Sequence, residues 1–353
     1  MKNKITIVGI NFWPEDTAIG LYTYQLANFY KEKGLEVNVI TGFPYYPAWK
    51  INSEYRSKKK FHEESINGIK IYRYKQYVPK NPIFIKRILH LLDFTLGSFI
   101  NLFKIKKTDV VLCVVPFIGC VFIGKFLAKL KGAKLWVHIQ DFEFDAVSDS
   151  NLVEEITDKN FIFRILFYFE RKLLNSADLL STISSSMVKK LTGKTKSEIE
   201  KKLLPNWVDP NFILPEEHKK HSYLKSDKFK ILYSGNIGEK QDWDFFIKFA
   251  KELEKEKDVQ IIVVGNGSKR YWLEEKLLDL ENIWFYSPVA YSELSDLLCS
   301  ADLHILFQKV NVIDTVMPSK ILAMMASEKP SLITGSLKLS LIHISEPTRP
   351  SQI

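Results

Sequence analysis

Two glycines and a lysine stand close together in residues 233–240, Tyr-Ser-Gly-Asn-Ile-Gly-Glu-Lys. The apolar run Phe229 to Leu232 before them predicts a buried strand, and Trp243 to Leu253 after them predicts a helix. Glycine allows a tight turn and a close approach of the backbone to a ligand, and the free N–H groups of a helix N-terminus attract phosphate. The segment therefore predicts a nucleotide-diphosphate site in the second half of the chain, with Lys240 as its cation.

A second edge of the same site is predicted at Pro318-Ser319-Lys320, which follows a strand and a loop and begins a helix. Proline suits the first turn of a helix because its missing N–H would have no partner there. Ser319 and the N–H groups behind it could hold a phosphate or a sugar hydroxyl, and a plain helix cap is the alternative. Gly265-Asn266-Gly267 lacks the third glycine of a dinucleotide fingerprint, so we interpret it as a tight surface turn.

The first half of the chain has two further polar segments with possible chemistry. Asp16 to Gly20 precedes a helix, where Gly20 either permits the close approach of a substrate or simply begins the helix. His138 to Asp141 ends a predicted strand, and His138 beside a carboxylate could transfer a proton near pH 7. A structural histidine at a strand end is the alternative.

Strands alternate with helices along the whole chain, which predicts parallel sheets covered on both faces. A length of 353 residues is enough for two domains. The pattern breaks at Pro205 to Pro210, and a polar stretch follows. We therefore predict an N-terminal Rossmann-like domain at 1–208, a linker at 209–228 and a C-terminal Rossmann-like domain at 229–338. Ligands of such sheets bind at the carboxyl ends of the strands.

The composition is that of a folded, basic protein. Apolar residues make up 46% and charged residues 26%, and 50 Lys and Arg against 41 Asp and Glu give a net charge of +9. An acidic partner is expected, and nucleic acid, a membrane surface or a phosphorylated substrate would each fit. The three cysteines have no paired or metal-binding spacing, which indicates buried thiols of a reducing compartment.

Ile83 to Lys104 predicts a basic amphipathic helix that can lie in a membrane interface. A core helix whose lysines extend to solvent is the alternative. Val110 to Ala128 is apolar but contains a proline and two glycines, so it predicts a strand, a turn and a helix instead of a membrane span. No secretory signal is expected, because Met1 to Lys4 leads directly into a strand.

The last residues do not continue the α/β pattern. Leu339 to Arg349 resembles the translated sequence of a sequencing adapter, so residues 339–353 are predicted to be non-native and to lie outside the fold. The C-terminal domain is then expected to be incomplete after Lys338.

Several segments together resemble the family 4 glycosyltransferases of the O-antigen, capsule and colanic-acid type. The resemblance spans residues 1 to about 338. Its motifs are Val8 to Gly20, Thr41 to Pro47, His138 to Asp141, Ala177-Asp178 with Ser181 to Ser184, Leu204 to Trp207, Ser234 to Lys240 and Pro318 to Lys320.

The resemblance implies the GT-B fold, in which two Rossmann-like domains face each other across a cleft. It implies a retaining sugar transferase without a metal or other cofactor. The implied donor is a nucleotide-sugar, UDP-linked and fucosamine-like, and the implied acceptor is a polyprenyl-diphosphate-linked saccharide. The implied location is cytoplasmic, on the inner face of the cell membrane, which the protein contacts through Ile83 to Lys104; nucleic acid is not an implied partner.

Site residues are carried over by position. His138 and Lys240 would act in catalysis, and Asp16 and Asp141 would face the acceptor side of the cleft. The implied donor-binding residues are Gly20, Gly235, Asn236, Gly238, Lys240, Pro318, Ser319 and Lys320.

The sequence departs from the family pattern at two positions. Asn236 stands where many relatives have Arg, and Ala323 stands where many have a Glu that binds the ribose. Two alternatives stay open: a nucleotide-sugar epimerase of the same fold, and a truncated fragment that binds nucleotides without catalysis.

Overall fold

The computed structural model describes residues 3–16, 18–142, 159–209, 211–239, 241–309 and 320–335. The chain forms two compact units, the first ending at Pro205 and the second beginning at Asn206. Three predicted site residues, Lys240, Pro318 and Ser319, lie outside the described residues, and so does the predicted non-native tail.

The first unit is built on an eight-stranded sheet in the order β3-β4-β2-β1-β5-β6-β7-β8. Only the pairing of β3 with β4 is antiparallel. The strands are β1 (Lys4–Val8), β2 (Glu36–Gly42), β3 (Phe61–Ile66), β4 (Ile69–Tyr74), β5 (Val110–Val115), β6 (Lys134–Ile139), β7 (Leu179–Thr182) and β8 (Glu200–Leu203). The helices described in this unit are α1 (Ala18–Glu32), α2 (Phe84–Leu102), α3 (Gly119–Lys131), α4 (Lys159–Leu174) and α5 (Ser185–Lys194).

The second unit has a five-stranded parallel sheet in the order β11-β10-β9-β12-β13. Its strands are β9 (Phe229–Ser234), β10 (Val259–Val264), β11 (Ile283–Tyr286), β12 (Leu303–Phe307) and β13 (Ser331–Thr334). Its described helices are α6 (Trp243–Glu252), α7 (Arg270–Lys276), α8 (Leu294–Cys299) and α9 (Lys320–Ala326).

The burial pattern of four strands matches their central positions in the two sheets. In β1, β2, β5 and β10 every residue but the first is buried, as expected for parallel strands with helices on both faces. The predicted α/β class with parallel sheets is therefore confirmed. Among the described residues, no helix combines the length and the apolar character that a membrane crossing requires.

Three strands, β3, β8 and β13, are not predicted by the sequence pattern. All three lie at an edge of a sheet, where one side of the strand is exposed. Their residues are largely polar or half-exposed, for example Phe-His-Glu-Glu-Ser-Ile in β3 and Glu-Lys-Lys-Leu in β8, so they carry no buried apolar run.

Candidate active site

The loop after β9 packs against the first residue of α9. Gly235 has a φ of +135°, and a Cβ atom at this position would lie 2.3 Å from Cε of Lys320. The Lys320 amine donates to the Tyr233 hydroxyl at 3.0 Å and lies 4.6 Å from the centre of that ring. The Tyr233 hydroxyl donates in turn to the carbonyl of Asn236 at 2.6 Å. The structure thus brings Gly235 and Asn236 together with Lys320, which lies far from both of them in the sequence.

Lys320 is a half-buried residue whose amine lies against the Tyr233 side chain. Burial lowers the pKa of its amine to about 8, so the amine is mostly charged at pH 7. In the described part of the chain, no carboxylate lies within ion-pair distance of it. A buried charge without an opposite charge destabilises a fold, and a bound anion would relieve that cost.

A second loop, after β10, supports the first. A Cβ atom on Gly265 would lie 1.9 Å from the carbonyl oxygen of Gly235, so only glycine fits there. Ile237 donates its backbone N–H to the carbonyl of Asn266 at 2.9 Å, and Lys269 donates its own to the carbonyl of Ile237 at 3.0 Å. The interpretation of residues 265–267 as a simple surface turn is wrong, because Gly265 is buried against the loop after β9.

Gly238 has protein partners in this structure. Its N–H donates to Oε1 of Gln241 at 3.1 Å, and its carbonyl accepts from Nε1 of Trp243 at 2.7 Å. The predicted contact of the Gly238 N–H with a diphosphate would therefore replace the hydrogen bond to Gln241.

In the first unit, the buried carboxylate of Glu15 joins two loops at the carboxyl edge of the sheet. Glu15 follows β1, and its Oε1 accepts from the backbone N–H groups of Tyr45 at 2.8 Å and Tyr46 at 2.9 Å, in the loop after β2. Its Oε2 accepts from Nδ2 of Asn11 at 2.9 Å. Burial raises the pKa of Glu15, and these hydrogen bonds oppose the rise because they stabilise the carboxylate.

Gly20 makes room for Glu15. A Cβ atom on Gly20 would lie 2.8 Å from Cβ of Glu15 and 2.9 Å from its carbonyl oxygen. This contact gives Gly20 a packing role within the first unit, and its predicted contact with the donor phosphate stays a prediction. Asp16, next to Glu15, is half-buried at the end of the same loop.

We expect Gly20→Ala to destabilise the first unit by about 1–3 kcal/mol, the usual range for an added methyl group in a packed site. The reason is the overlap with Glu15, which must shift and weaken its hydrogen bonds to the loop after β2. Urea unfolding measures the effect against Gly9→Ala, because Gly9 directly follows β1 and a Cβ atom there would have no neighbour closer than 3.7 Å. Equal midpoints for the two variants would contradict this assignment.

His138 lies at the end of β6 and is 1% exposed. Its Nδ1 lies 2.9 Å from Oγ of Ser181, and its Nε2 lies 2.9 Å from Nε2 of Gln140. Burial lowers the pKa of the ring to about 4, so the ring is neutral at pH 7. These contacts favour the structural alternative, and proton transfer by His138 stays a prediction. Asp141, two residues beyond β6, is half-buried.

Comparisons with known proteins decide the family. A family model for glycosyl transferases group 1 matches residues 228–342, which include both glycine loops and α9. A protein of Escherichia coli K12 that is described as a colanic acid biosynthesis glycosyl transferase, WcaI, is 34% identical over 356 residues. That alignment covers 97% of this chain and 86% of the relative. The chain belongs to the group 1 glycosyltransferases.

Solved structures agree with this glycosyltransferase assignment at the level of the fold. Sucrose-phosphate synthase from Thermosynechococcus elongatus has a TM-score of 0.70 at 12% identity, over 98% of this chain and 84% of that one. Anabaena Alr3699/HepE in complex with UDP and glucose has a TM-score of 0.62 at 13% identity, over 98% of this chain and 83% of that one. The predicted GT-B fold and the resemblance to family 4 are confirmed, and the protein is a transferase enzyme.

Tyr233 and Glu15 belong to these two clusters, but their roles are not predicted by the sequence pattern. Tyr233 ends an apolar strand and resembles a core residue, and Glu15 stands in a loop where most glutamates are solvated. The one available signal for Glu15 was its place in the loop that follows a strand of a parallel sheet.

Proposed function

We propose that the protein is a retaining glycosyltransferase of surface-polysaccharide biosynthesis that uses a nucleotide-sugar donor and a lipid-linked saccharide acceptor. The observation that supports it most is the buried amine of Lys320 beside Gly235, within the segment that the family model matches. A buried cation at the carboxyl edge of a Rossmann-like sheet suits a diphosphate. The finer assignment is a UDP-linked, fucosamine-like donor, and the UDP bound to the HepE structure supports the choice of base.

The chemistry follows from the charge that develops in the reaction. When the bond between the anomeric carbon and the diphosphate oxygen breaks, negative charge grows on the leaving nucleoside diphosphate. The Lys320 ammonium group, fixed by Tyr233, stabilises that charge without rearrangement. We propose that the protein's own cations take this role and that no metal is needed. Lys240, Pro318 and Ser319 would complete the donor site.

Ribose binding needs a residue other than Ala323. Its methyl side chain cannot accept a hydrogen bond, and it packs against the apolar cluster under α8 and α9. His138 stays a proposed catalytic residue, and Asp16 and Asp141 stay proposed acceptor-side residues.

An exposed apolar face in the first unit supports a membrane-bound acceptor. One side of α2 is buried in the core, but its opposite side is exposed and apolar, and α3 continues that surface through the contact of Phe99 with Phe126. Its exposed residues are Ile85, Leu89, Leu92, Leu96, Ile100, Phe103, Phe122, Phe126 and Leu130. Lys86, Lys125 and Lys129 lie on the same two helices. We propose that this face lies on the inner surface of the cell membrane, because apolar and basic groups together bind anionic lipid surfaces.

The first test is a donor screen with UDP-, GDP- and ADP-sugars, with nucleotide release as the measurement and a membrane lipid extract as the acceptor. We expect release only with one UDP-sugar and only with the extract, and an anomeric configuration that NMR shows to be retained. At 100 times its dissociation constant, UDP should stabilise the fold by about 2.7 kcal/mol. Isomerised sugar nucleotide without acceptor would favour the epimerase, and stabilisation without turnover would favour the non-catalytic fragment.

A further inference from the structure

The loop after β2, residues 43–50, is rich in aromatic residues that the proposed chemistry has not used. It includes Tyr45, Tyr46 and Trp49. It lies at the carboxyl edge of the first unit's sheet, where ligands of parallel α/β sheets bind, and Glu15 fixes it to the loop after β1. A hydrogen bond of 3.2 Å from the Lys50 N–H to the Tyr45 carbonyl closes it. The loop is therefore a fixed part of the sheet edge.

Trp49 occupies a backbone conformation that bulky residues avoid. Its φ is +50°, in the left-handed region that favours glycine and asparagine. Either of those residues would remove the strain, so the indole ring is kept at a conformational cost. Strain of this kind concentrates at ligand sites.

The ring of Trp49 packs against two buried aromatic rings, those of Tyr45 and His90. Its centre lies 5.4 Å from that of Tyr45 and 5.6 Å from that of His90, both edge-on. His90 is 1% exposed, and its Nδ1 contacts the carbonyl of Tyr77. Its Nε2 is buried and bonds to none of the residues that the structure describes. Trp49 is itself only half-buried, and Tyr46 beside it is 43% exposed.

Arg87 adds a cation beside the Trp49 ring. The guanidinium carbon of Arg87 lies 5.2 Å from the centre of the Trp49 ring. Nε of Arg87 donates to the Pro82 carbonyl at 2.7 Å, while its two terminal nitrogens have no partner among the described residues. Arg87 stands in the first turn of α2, close in sequence to Ile85 and Leu89 of the exposed apolar face.

We propose that Trp49, Tyr46 and Arg87 form the acceptor subsite, with the indole ring under the sugar and Arg87 on the diphosphate between sugar and lipid. The inference rests on the proposed function and adds the residues and the chemical class that this unit recognises. The C–H groups of a pyranose carry partial positive charge and pack on the negative face of an aromatic ring. A guanidinium group binds phosphate through paired N–H donors. The prenyl chain would continue onto the apolar face of α2.

The test measures sugar transfer to the membrane lipid extract by wild type, Trp49→Ala, Arg87→Gln and Phe29→Ala. Phe29 is the matched control, because it is an aromatic residue of the same unit that is 49% exposed and has the Lys33 amine 5.5 Å from the centre of its ring. It lies near the C-terminal end of α1, whereas the loop that contains Glu15 lies before the N-terminal end. We expect the half-saturating amount of extract to rise at least tenfold for Trp49→Ala and Arg87→Gln. The KM for the donor should stay within twofold, and Phe29→Ala should match wild type.

The outcomes separate this inference from the proposed function. If wild type transfers no sugar to the extract with any donor, the proposed function fails. If wild type transfers sugar and Trp49→Ala saturates at the same amount of extract as Phe29→Ala, only the acceptor subsite is overturned. Trp49→Gly is the control for a folding defect in Trp49→Ala. It should melt above Trp49→Ala, because glycine accepts the positive φ, and yet bind the acceptor as weakly.

Discussion

Lys320→Met is expected to reduce kcat/KM for the nucleotide-sugar by about 10²–10³-fold, the range for losing one preorganised group at a developing charge. The same change should stabilise the fold. Burial lowers the pKa of Lys320 to about 8 from 10.5, which corresponds to about 3 kcal/mol of unfavourable free energy for the buried charge. A higher melting temperature with lost turnover identifies a residue that serves binding at the expense of stability.

Lys276→Met is the matched control, because Lys276 is an exposed lysine on α7 in the same unit. It should change neither the melting temperature nor turnover. A Lys320→Met variant that melts earlier and turns over normally would show that the amine holds the loop together instead of binding the donor.

The pH dependence of kcat/KM in the wild-type enzyme gives a second test of the role of Lys320. Below about pH 8 the Lys320 amine carries its proton, and above it the charge is lost. kcat/KM for the donor should therefore fall as the pH rises beyond 8, and Lys320→Met should lack this step. Stability should change in the opposite sense. Between about pH 8 and 10.5 the unfolded chain holds more protons than the folded chain, so the free energy of unfolding rises with pH in that window.

The sequence predicted the central strands well but missed three of the four edge strands, for a physical reason. β9 was expected at Phe229 to Leu232 and is found at Phe229–Ser234, because helices on both faces require a continuous apolar run. β3 and β8 are edge strands whose exposed sides admit Glu, Lys and His, so their sequences resemble loops. β8 forms by pairing with β7, from which α5 separates it in the sequence, whereas β3 pairs with β4, the next strand along the chain.

The same distinction between local and distant information applies to the site. Gly235 and Lys320 were predicted because turn glycines and a lysine after a proline are local motifs. Glu15 was missed because its partners, Tyr45 and Tyr46, are 30 and 31 residues away. Gly265 was misjudged for a related reason. Its need for glycine comes from the carbonyl of Gly235 in the loop after the adjacent strand β9, and a single-segment pattern does not contain that contact.

Gly265→Ala tests whether that contact between loops positions the donor site. The added methyl group would overlap the Gly235 carbonyl, so the loop after β9 must move away from its place beside Lys320. Overpacking of this kind destabilises by about 1–3 kcal/mol, and we expect that loss in urea unfolding. Displacement of a substrate-positioning group by about 1 Å costs about 10²-fold in rate, so kcat/KM for the donor should fall by that factor.

Gly193→Ala is the control that separates the effect of an added methyl group on stability from its effect on turnover. Gly193 lies near the end of α5, where an added Cβ meets no atom within 4 Å, so alanine there should stabilise the helix by up to about 1 kcal/mol without changing turnover. If Gly265→Ala lost stability but kept its kcat/KM at a temperature where it stays folded, the loop after β10 would only support the fold. If it lost affinity for UDP under those conditions, the backbone contact between the two loops would be what holds Gly235 against the Lys320 amine. The donor site would then depend on both loops, although the sequence indicated only one of them.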